Sequence, residues 1–237
     1  MSTRKEQSLR EIMNEFDEMA ELVLSQLSLI EKFMSADEDK VQKELLAEIK
    51  KNEKQIDSYE VTVNDKFINA IVLFQPVASE IRKLMAVYRM TINLERIGDL
   101  VMNIAYTIEK LRNSEEYKAM SDVILNMLLS GRIMVEKSLL SFVNSDTDYA
   151  VWTIKNDSVV DEMNRKLLKN GISKARMSDR TKEMLLSYAD LKDMLTNIER
   201  IADHATNIAE ATIYSLRGTD VRHTDIDSEN STGTENL

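Results

Sequence analysis

Cysteine is absent from this 237-residue sequence, and proline and glycine are scarce, with one and five residues respectively. The lack of cysteine excludes disulfides, thiolate metal sites and cysteine nucleophiles, and it fits a reducing cytosol. With so few residues that interrupt helices, and with abundant Leu, Met, Ala, Glu and Lys, the composition predicts an all-α protein. The sequence also lacks an apolar run of about 18 residues and the apolar core of a signal peptide. We therefore expect a cytoplasmic protein that does not insert into a membrane.

Basic residues are in the minority, because 31 Lys and Arg against 41 Asp and Glu give a formal charge of −10. Nucleic-acid binding relies on clustered Lys and Arg that displace counterions from phosphates. The charge thus argues against a nucleic-acid partner and favours cations or basic protein surfaces. Only two histidines exist, and no serine nucleophile has a histidine partner at a recognisable spacing. We expect a protein that is not an enzyme.

A thirteen-residue stretch at 93–105 returns at 197–209, 104 positions later, with eight residues identical. Its polar residues follow a four-residue step in both copies: Glu95, Asp99 and Asn103 in the first, and Glu199, Asp203 and Asn207 in the second. The same offset relates two acid pairs further upstream: Glu53 and Asp57 in the first copy, and Asp157 and Asp161 in the second. Self-similarity at a fixed offset is the signature of a duplicated structural unit.

Each copy contains three stretches with apolar residues at helical spacing, which predicts a three-helix unit. We expect the first unit to cover residues 1–112 and the second to cover residues 113–217. Residues 218–237 are rich in Ser, Thr, Asp and Asn, and this composition predicts a mobile polar tail. Asp37 is the predicted N-cap of the second helix, and Gly218 is predicted to end the sixth.

The repeated acids lie off the apolar side of their own helix. At about 100° per residue, that side of the first copy is formed by Leu94, Ile97, Val101, Ile104, Ile108 and Leu111. Two carboxylates four residues apart in a helix repel each other by roughly 0.2–0.5 kcal/mol, so we expect a compensating positive charge. Arg96, Arg200 or nearby lysines could supply it through surface salt bridges, which is the common case. A bound cation is the alternative, because carboxylate and amide oxygens are ligands for Mg, Ca, Mn or Fe.

The sequence leaves both explanations open. Retention of the acids and asparagines in both copies, while neighbours such as Gly98 and its counterpart Ala202 changed, favours a metal site. The candidate ligands are Glu95, Asp99, Asn103, Glu199, Asp203 and Asn207, together with Glu53, Asp57, Asp157 and Asp161 of the preceding helices. Whether the last four face the repeated helix is also left open by the pattern.

These motifs resemble those of the PhoU family. The resemblance covers about residues 5–217, and it rests on the acidic motifs at 94–99 and 198–203, the Gln-Pro-Val-Ala-Ser-Glu-Ile-Arg stretch at 75–82, and the acid pairs of the second and fifth helices. It implies two tandem three-helix bundles related by pseudo-twofold symmetry, and it implies a homodimer. It also implies clusters of iron, zinc or similar ions, one cluster for the candidate ligands of each copy.

The resemblance further implies a function in phosphate homeostasis. Members of this family are non-enzymatic negative regulators of phosphate uptake and phosphate-starvation signalling. The expected partners are the ATPase subunit of a phosphate ABC transporter and a phosphate sensor histidine kinase.

Two other classes of protein stay open beside this one. A carboxylate-bridged di-metal enzyme in a helical bundle would use Glu-x-x-His pairs, and the sequence contains none. The acids also lie off the apolar side of their helix, where oxygen chemistry would be poorly shielded from water. The second class is an inert helical scaffold with salt-bridged faces. Metal content distinguishes this scaffold from the metal-binding regulator.

Overall fold

A computed structural model describes the backbone of residues 3–174 and 181–222, and the side chains of residues 3–167 and 185–222. Over these residues the chain forms six α-helices and no strand, which confirms the all-α prediction. The helices are α1 (Arg4–Ser35), α2 (Asp39–Phe74), α3 (Ala78–Leu111), α4 (Glu115–Val143), α5 (Thr147–Lys174) and α6 (Thr181–Arg217). Within the described ranges, none of them combines the length and apolar character needed to cross a membrane.

Local hydrogen bonds fix where several helices begin and end. Ser114 caps α4, because its hydroxyl accepts a hydrogen bond from the Tyr117 N–H at 3.2 Å. Gly218 follows α6 with a φ of +74°, a conformation that favours glycine. Its N–H donates to the Tyr214 carbonyl at 2.9 Å. The predicted end of α6 at Gly218 is therefore confirmed.

The start of α2 differs from the prediction, and Asp37 is not its N-cap. The capping position is held by Glu38, whose side chain makes no capping hydrogen bond. The Gln42 side-chain amide donates to the Ala36 carbonyl and ties the loop to the first turn of α2. Glu38 keeps an extended backbone, so the helix begins one residue later than capping propensity alone suggests.

The six helices form two three-helix bundles around a continuous core. The helices α1, α2 and α3 pack against one another, and α4, α5 and α6 do the same. The motif helices α3 and α6 form the most extensive helix contact among the described residues. The predicted apolar side of α3 is confirmed, because all six of its residues are buried.

A second contact between the bundles joins α1 to α4. The rings of Phe16 and Phe142 meet edge to face with their centroids 5.6 Å apart. The Arg132 guanidinium of α4 donates to both carboxylate oxygens of Glu31 of α1, at 2.8 and 2.9 Å. This contact and the α3–α6 contact together fix the orientation of one bundle against the other.

The chain immediately after α6 returns to the second bundle. Val221 is buried and packs in a small apolar cluster with Ala150, Ala209 and Ile213. Residues 223–237, which make up most of the predicted polar tail, lie outside the described residues.

The buried side of α3 should dominate the stability of the fold. We expect Ile104→Ala to lower the free energy of unfolding by about 2–5 kcal/mol, because this side chain is fully buried and its removal leaves a cavity. The matched change Ile68→Ala, at a side chain that is 57% exposed, should alter the free energy by less than about 0.5 kcal/mol. Urea unfolding followed by circular dichroism measures both. Equal losses in the two variants would contradict the assigned core.

Candidate metal sites

The acids of each bundle lie on two helices that pack together. The first acidic site comprises Glu53 and Asp57 of α2 with Glu95 and Asp99 of α3. The second acidic site comprises Asp157 and Asp161 of α5 with Glu199 and Asp203 of α6. In both sites the carboxylates interact electrostatically across the helix pair. The structure thus brings the acids of α2 and α5 to the repeated motifs, which the sequence pattern had left open.

Three carboxylates converge in the second acidic site. Asp157, Asp161 and Asp203 each offer one oxygen, and these three atoms lie within 4.8 Å of one another. Burial and the negative charges of Asp157 and Asp161 raise the pKa of Asp203 to about 6. Burial followed by the charge of Asp161 also raises the pKa of Asp157. Negative charge on these carboxylates is therefore electrostatically unfavourable in the absence of a compensating positive charge.

The fourth acid of this site, Glu199, is held by a buried amide. The Asn164 side chain of α5 donates a hydrogen bond from Nδ2 to the Glu199 carboxylate. Asn164 is 6% exposed, and its Oδ1 atom has no hydrogen-bond partner among the described residues. Asn164, Asp161 and Glu199 line the same surface cleft. An amide oxygen without a partner therefore stands beside the carboxylates.

The first acidic site is built around a buried glutamine of α1. The Gln26 amide Nε2 donates to Glu53 Oε2 at 2.9 Å and to the Gly98 carbonyl at 3.3 Å. Burial raises the pKa of Glu53 to about 7, the hydrogen bond from Gln26 opposes this rise, and the charges of Asp57 and Asp99 add to it. Glu53 is thus the carboxylate of this site that is most easily protonated near neutral pH.

Salt bridges compensate part of the negative charge of the first acidic site. Arg96 Nε lies 3.3 Å from Glu95 Oε2, and Arg96 Nη1 donates to Asp99 Oδ2 at 3.2 Å. Burial and the charge of Asp99 still raise the pKa of Glu95, and the charge of Arg96 opposes them. In the second bundle, the equivalent Arg200 forms no ion pair within the described part of the chain, although its charge lowers the pKa of Asp203 against the larger effects that raise it. Arginine compensation therefore differs between the two sites.

Both sites leave a buried carboxylate oxygen without a hydrogen bond at the same position of the repeat. In the described residues, Glu53 Oε1 and its equivalent Asp157 Oδ1 make no hydrogen bond of normal geometry, although the Thr206 hydroxyl lies close enough to Asp157 to oppose the rise in its pKa. Buried polar atoms are rarely left in this state, and each exception requires an explanation. Because these atoms carry only lone pairs, a donor or a cation would satisfy them. The donor set of the two sites, carboxylates with a nearby amide oxygen, fits a hard or borderline metal ion.

The two asparagines of the motifs lie in different surroundings. Asn103 is exposed. Asn207 Nδ2 donates to Asn93 Oδ1 of α3 at 3.2 Å, and His204 Nδ1 lies 2.8 Å from the same oxygen. Burial and the charges of Arg200 and Arg96 lower the pKa of His204 to about 4, so its ring is neutral at pH 7. The nitrogen end of Asn207 therefore serves the α3–α6 contact.

Sequence reasoning missed three residues that contact or surround the acids: Gln26, Asn164 and Glu60. A signal existed for the first, because Gln26 interrupts the apolar side of α1 between Val23 and Leu27. A signal also existed for the other two, because the 104-residue offset relates Glu60 to Asn164. Neither signal reveals a contact until the helices are assembled.

The geometry defines a class of protein, an all-α chain of two tandem three-helix bundles with one acidic site in each. A family model for the PhoU domain matches residues 16–108 and 120–212, once in each bundle. The chain belongs to the PhoU family.

Curated relatives and solved structures agree with this assignment. A Burkholderia sp protein is 32% identical over 177 residues, which cover 74% of each chain. An Aquifex aeolicus protein is 31% identical over 223 residues, which cover 90% of this chain and 96% of the relative. Both are named phosphate-specific transport system accessory protein PhoU homolog.

Two crystal structures share the fold. The structure of PhoU from Pseudomonas aeruginosa matches with a TM-score of 0.80 and 25% identity, over 90% of this chain and 98% of that one. A PhoU structure from Streptococcus pneumoniae matches with a TM-score of 0.70 at 20% identity, over 92% and 99% of the two chains. The predicted architecture of two tandem three-helix bundles is confirmed.

Gly98 allows α2 to approach α3 closely. A Cβ atom at Gly98 would lie 2.9 Å from Glu53 Oε2 and 3.3 Å from Ile56 Cδ1. Alanine in a helix normally raises the free energy of unfolding by roughly 1 kcal/mol relative to glycine. We expect Gly98→Ala to lack this gain, because Glu53 would have to move away from Gln26. The matched reversal Ala202→Gly should lower the free energy of unfolding by about 1 kcal/mol. Urea unfolding of metal-free protein measures both, and a full gain for Gly98→Ala would contradict the close approach.

Proposed function

We propose that this chain is a non-enzymatic accessory regulator of phosphate transport that holds divalent cations in its two acidic sites. One observation carries the metal part of the proposal. The equivalent residues Glu53 and Asp157 each keep a buried oxygen without a hydrogen bond of normal geometry, in a cluster of carboxylates where burial and then mutual repulsion raise the pKa of both. Two copies of the same unsatisfied arrangement are better explained by a shared ligand than by chance.

A cation fits this arrangement on electrostatic grounds. Two unit charges about 4 Å apart interact by roughly 4 kcal/mol at an effective dielectric of about 20, and solvent reduces this at exposed groups such as Asp161 and Asp203. A divalent ion would supply the positive charge that turns this repulsion into attraction. Iron or zinc is the ion that the family resemblance implies, and Mg, Mn or Ca also accept carboxylate and amide oxygens.

The chain's own residues divide this work between two helices of each bundle. In the first bundle, Glu53 and Asp57 would bind from α2, while Glu95 and Asp99 bind from α3 and Asn103 stands one turn further. In the second bundle, Asp157 and Asp161 would bind from α5, while Glu199, Asp203 and Asn207 belong to α6. Cation binding would thus cross-link the outer helix of each bundle to the motif helix.

The alternatives have weaker support. An oxidase of the di-metal carboxylate class needs ligands shielded from water, whereas Asp57, Asp161 and Asp203 are exposed. His204, the one histidine among the described residues, contacts Asn93. The inert scaffold is favoured by the ion pairs of Arg96 in the first site. It leaves the unpartnered oxygens of both sites without an explanation.

The regulatory part of the proposal rests on the relatives, which are named as accessory proteins of phosphate transport. We propose the ATPase subunit of a phosphate ABC transporter and a sensor histidine kinase as partners, a cytoplasmic location and a homodimer. An exposed apolar surface supports a role in protein contacts. It comprises Val61, Ile68, Val72 and Leu73 of α2 and the adjacent Val77, all more than half exposed, and such surfaces mark protein interaction sites.

Metal content tests the sites directly. We expect the metal-loaded wild type to hold ions in both sites, measured by plasma mass spectrometry after incubation with Fe, Zn or Mn and gel filtration. The double variant Glu95→Ala, Asp99→Ala should lose the ions of the first site, and Glu199→Ala, Asp203→Ala those of the second. Both variants should keep their fold, because these acids lie off the buried side of their helices.

A matched control removes two acids at the same spacing elsewhere. Glu44 and Glu48 are exposed on α2, four residues apart and away from the acidic sites. The double variant Glu44→Ala, Glu48→Ala should retain the full metal content. Equal metal content in all four proteins would defeat the site assignment, and metal in none of them would leave the scaffold explanation.

The apolar surface yields a separate prediction. We expect Val72→Asp with Leu73→Asp to weaken binding of the purified transporter ATPase subunit at least about tenfold, because both side chains are 68% exposed and a buried charge disfavours an apolar interface. Metal content should stay unchanged. Val143→Asp, at a 65% exposed position of α4, is the control. Unchanged binding with an altered oligomeric state, measured by light scattering, would assign this surface to the homodimer instead.

A further inference from the structure

One position of the repeat differs in charge between the two acidic sites. The 104-residue offset places Glu60 of α2 at the position of Asn164 of α5. Each lies three residues after an acid of its site, Asp57 or Asp161, and therefore on the same helix face. The site-facing residues of α2 are thus three carboxylates, at positions 53, 57 and 60, whereas α5 presents two carboxylates and an amide.

The contact made in the second bundle shows what this position faces. Asn164 donates from Nδ2 to the Glu199 carboxylate, and it lines one cleft with Asp161 and Glu199. The side chain is 6% exposed, and Oδ1 finds no partner in the described residues. A buried amide whose NH₂ group donates to a carboxylate has its oxygen available as a neutral ligand.

In the first bundle, the residue equivalent to Asn164 is the carboxylate Glu60 of α2. Glu95 corresponds to Glu199, and Glu60 is half-buried on the face of α2 that carries Asp57. The repeat offset and the shared helix face therefore place residue 60 in the first bundle where residue 164 lies in the second. In the second bundle, Glu210 of α6 is a further acid whose charge reaches Asp157.

From this placement we infer that the residue at position 60 or 164 sets the cation affinity of its site. Glu60 makes the first acidic site tighter than an amide there would, and Asn164 makes the second weaker than a carboxylate there would, with its Oδ1 as a neutral ligand. This inference rests on the proposed metal binding and deepens it. Its physical basis is that each added carboxylate strengthens the attraction for a cation, and calcium sites are known to be tuned by the charge count of their ligands. Two unequal sites would fill in order as the cation concentration rises.

Exchanging the two residues tests the inference. Mn²⁺ is titrated calorimetrically into metal-free protein with only one working site, the other site being disabled by alanine at both motif acids. In the protein with a working first site, Glu60→Asn should weaken Mn²⁺ binding at least about tenfold. In the protein with a working second site, Asn164→Glu should strengthen binding by a similar factor.

Two controls make the same charge changes away from the sites. Glu48→Asn removes an exposed acid from α2, and Val143→Glu adds one to a 65% exposed position of α4. Both should leave Mn²⁺ affinity within about twofold, because exposed and distant charges are screened by solvent and salt. If the controls shift affinity as much as the exchanges do, net charge rather than position 60 or 164 decides affinity, and the inference is wrong.

The smaller changes Glu60→Gln and Asn164→Asp keep the test decisive if an exchange perturbs folding, as monitored by circular dichroism. They alter charge with almost no change in side-chain volume, and they should shift affinity in the same two directions. Mn²⁺ binding that is unaffected by any of these changes overturns the inference while the proposed function stands. Absence of binding in the wild type, with Zn²⁺ tried as the second ion, overturns both.

Discussion

The packing of α3 against α6 is the constraint on which the rest of the structure depends. Both motif helices direct apolar residues into the shared core, where Leu94, Ile97 and Ile201 are fully buried. Burial of this kind is the main favourable contribution to folding, so the rotation of each motif helix is fixed by its apolar side. The acids must then point toward the outer helices α2 and α5. The packing of α3 against α6 thus places one acidic site in each half of the molecule.

The bundles stabilise their gathered carboxylates by different short-range means. In the first bundle, Gln26 donates to Glu53 and Arg96 bridges two acids of α3. In the second, the Asn164 amide serves Glu199, and Ser130, the counterpart of Gln26, bonds within its own helix. A donor that satisfies one oxygen leaves the other oxygens of the cluster exposed to their neighbours' charges. The pKa values of Glu53 and Asp203 are raised first by burial and then by the charges of neighbouring acids, which the donors offset only in part.

Much of this arrangement can be predicted from the sequence. Helical periodicity and the repeat offset together predict six helices, two units and the four acids of each site. Those signals are local or periodic, so they can be detected in the sequence alone. The missing parts depend on contacts between distant segments. Gln26 lies 72 residues from Gly98, whose carbonyl it binds, and capping propensity favours Asp37 until the Gln42 contact with Ala36 is known. Such contacts are decided by assembly of the helices rather than by any helix alone.

Duplication relates the two halves of this fold by a pseudo-twofold axis. Because the halves have diverged, equivalent residues make different side-chain contacts. Asn93 accepts from Asn207 and contacts His204, whereas Leu100, the counterpart of His204, has no polar atom to offer Asn197. The contact between the motif helices is therefore held by these amide and imidazole groups near Asn93, and by a different polar contact, the ion pair of Lys110 with Asp190 at 2.6 Å, further along the helices. Since both acidic sites are attached to these helices, a charge change in one site meets a different interface from a charge change in the other. A duplicated regulator with two identical sites could report only how much ligand is bound, but sites with unequal surroundings can also report which one is filled.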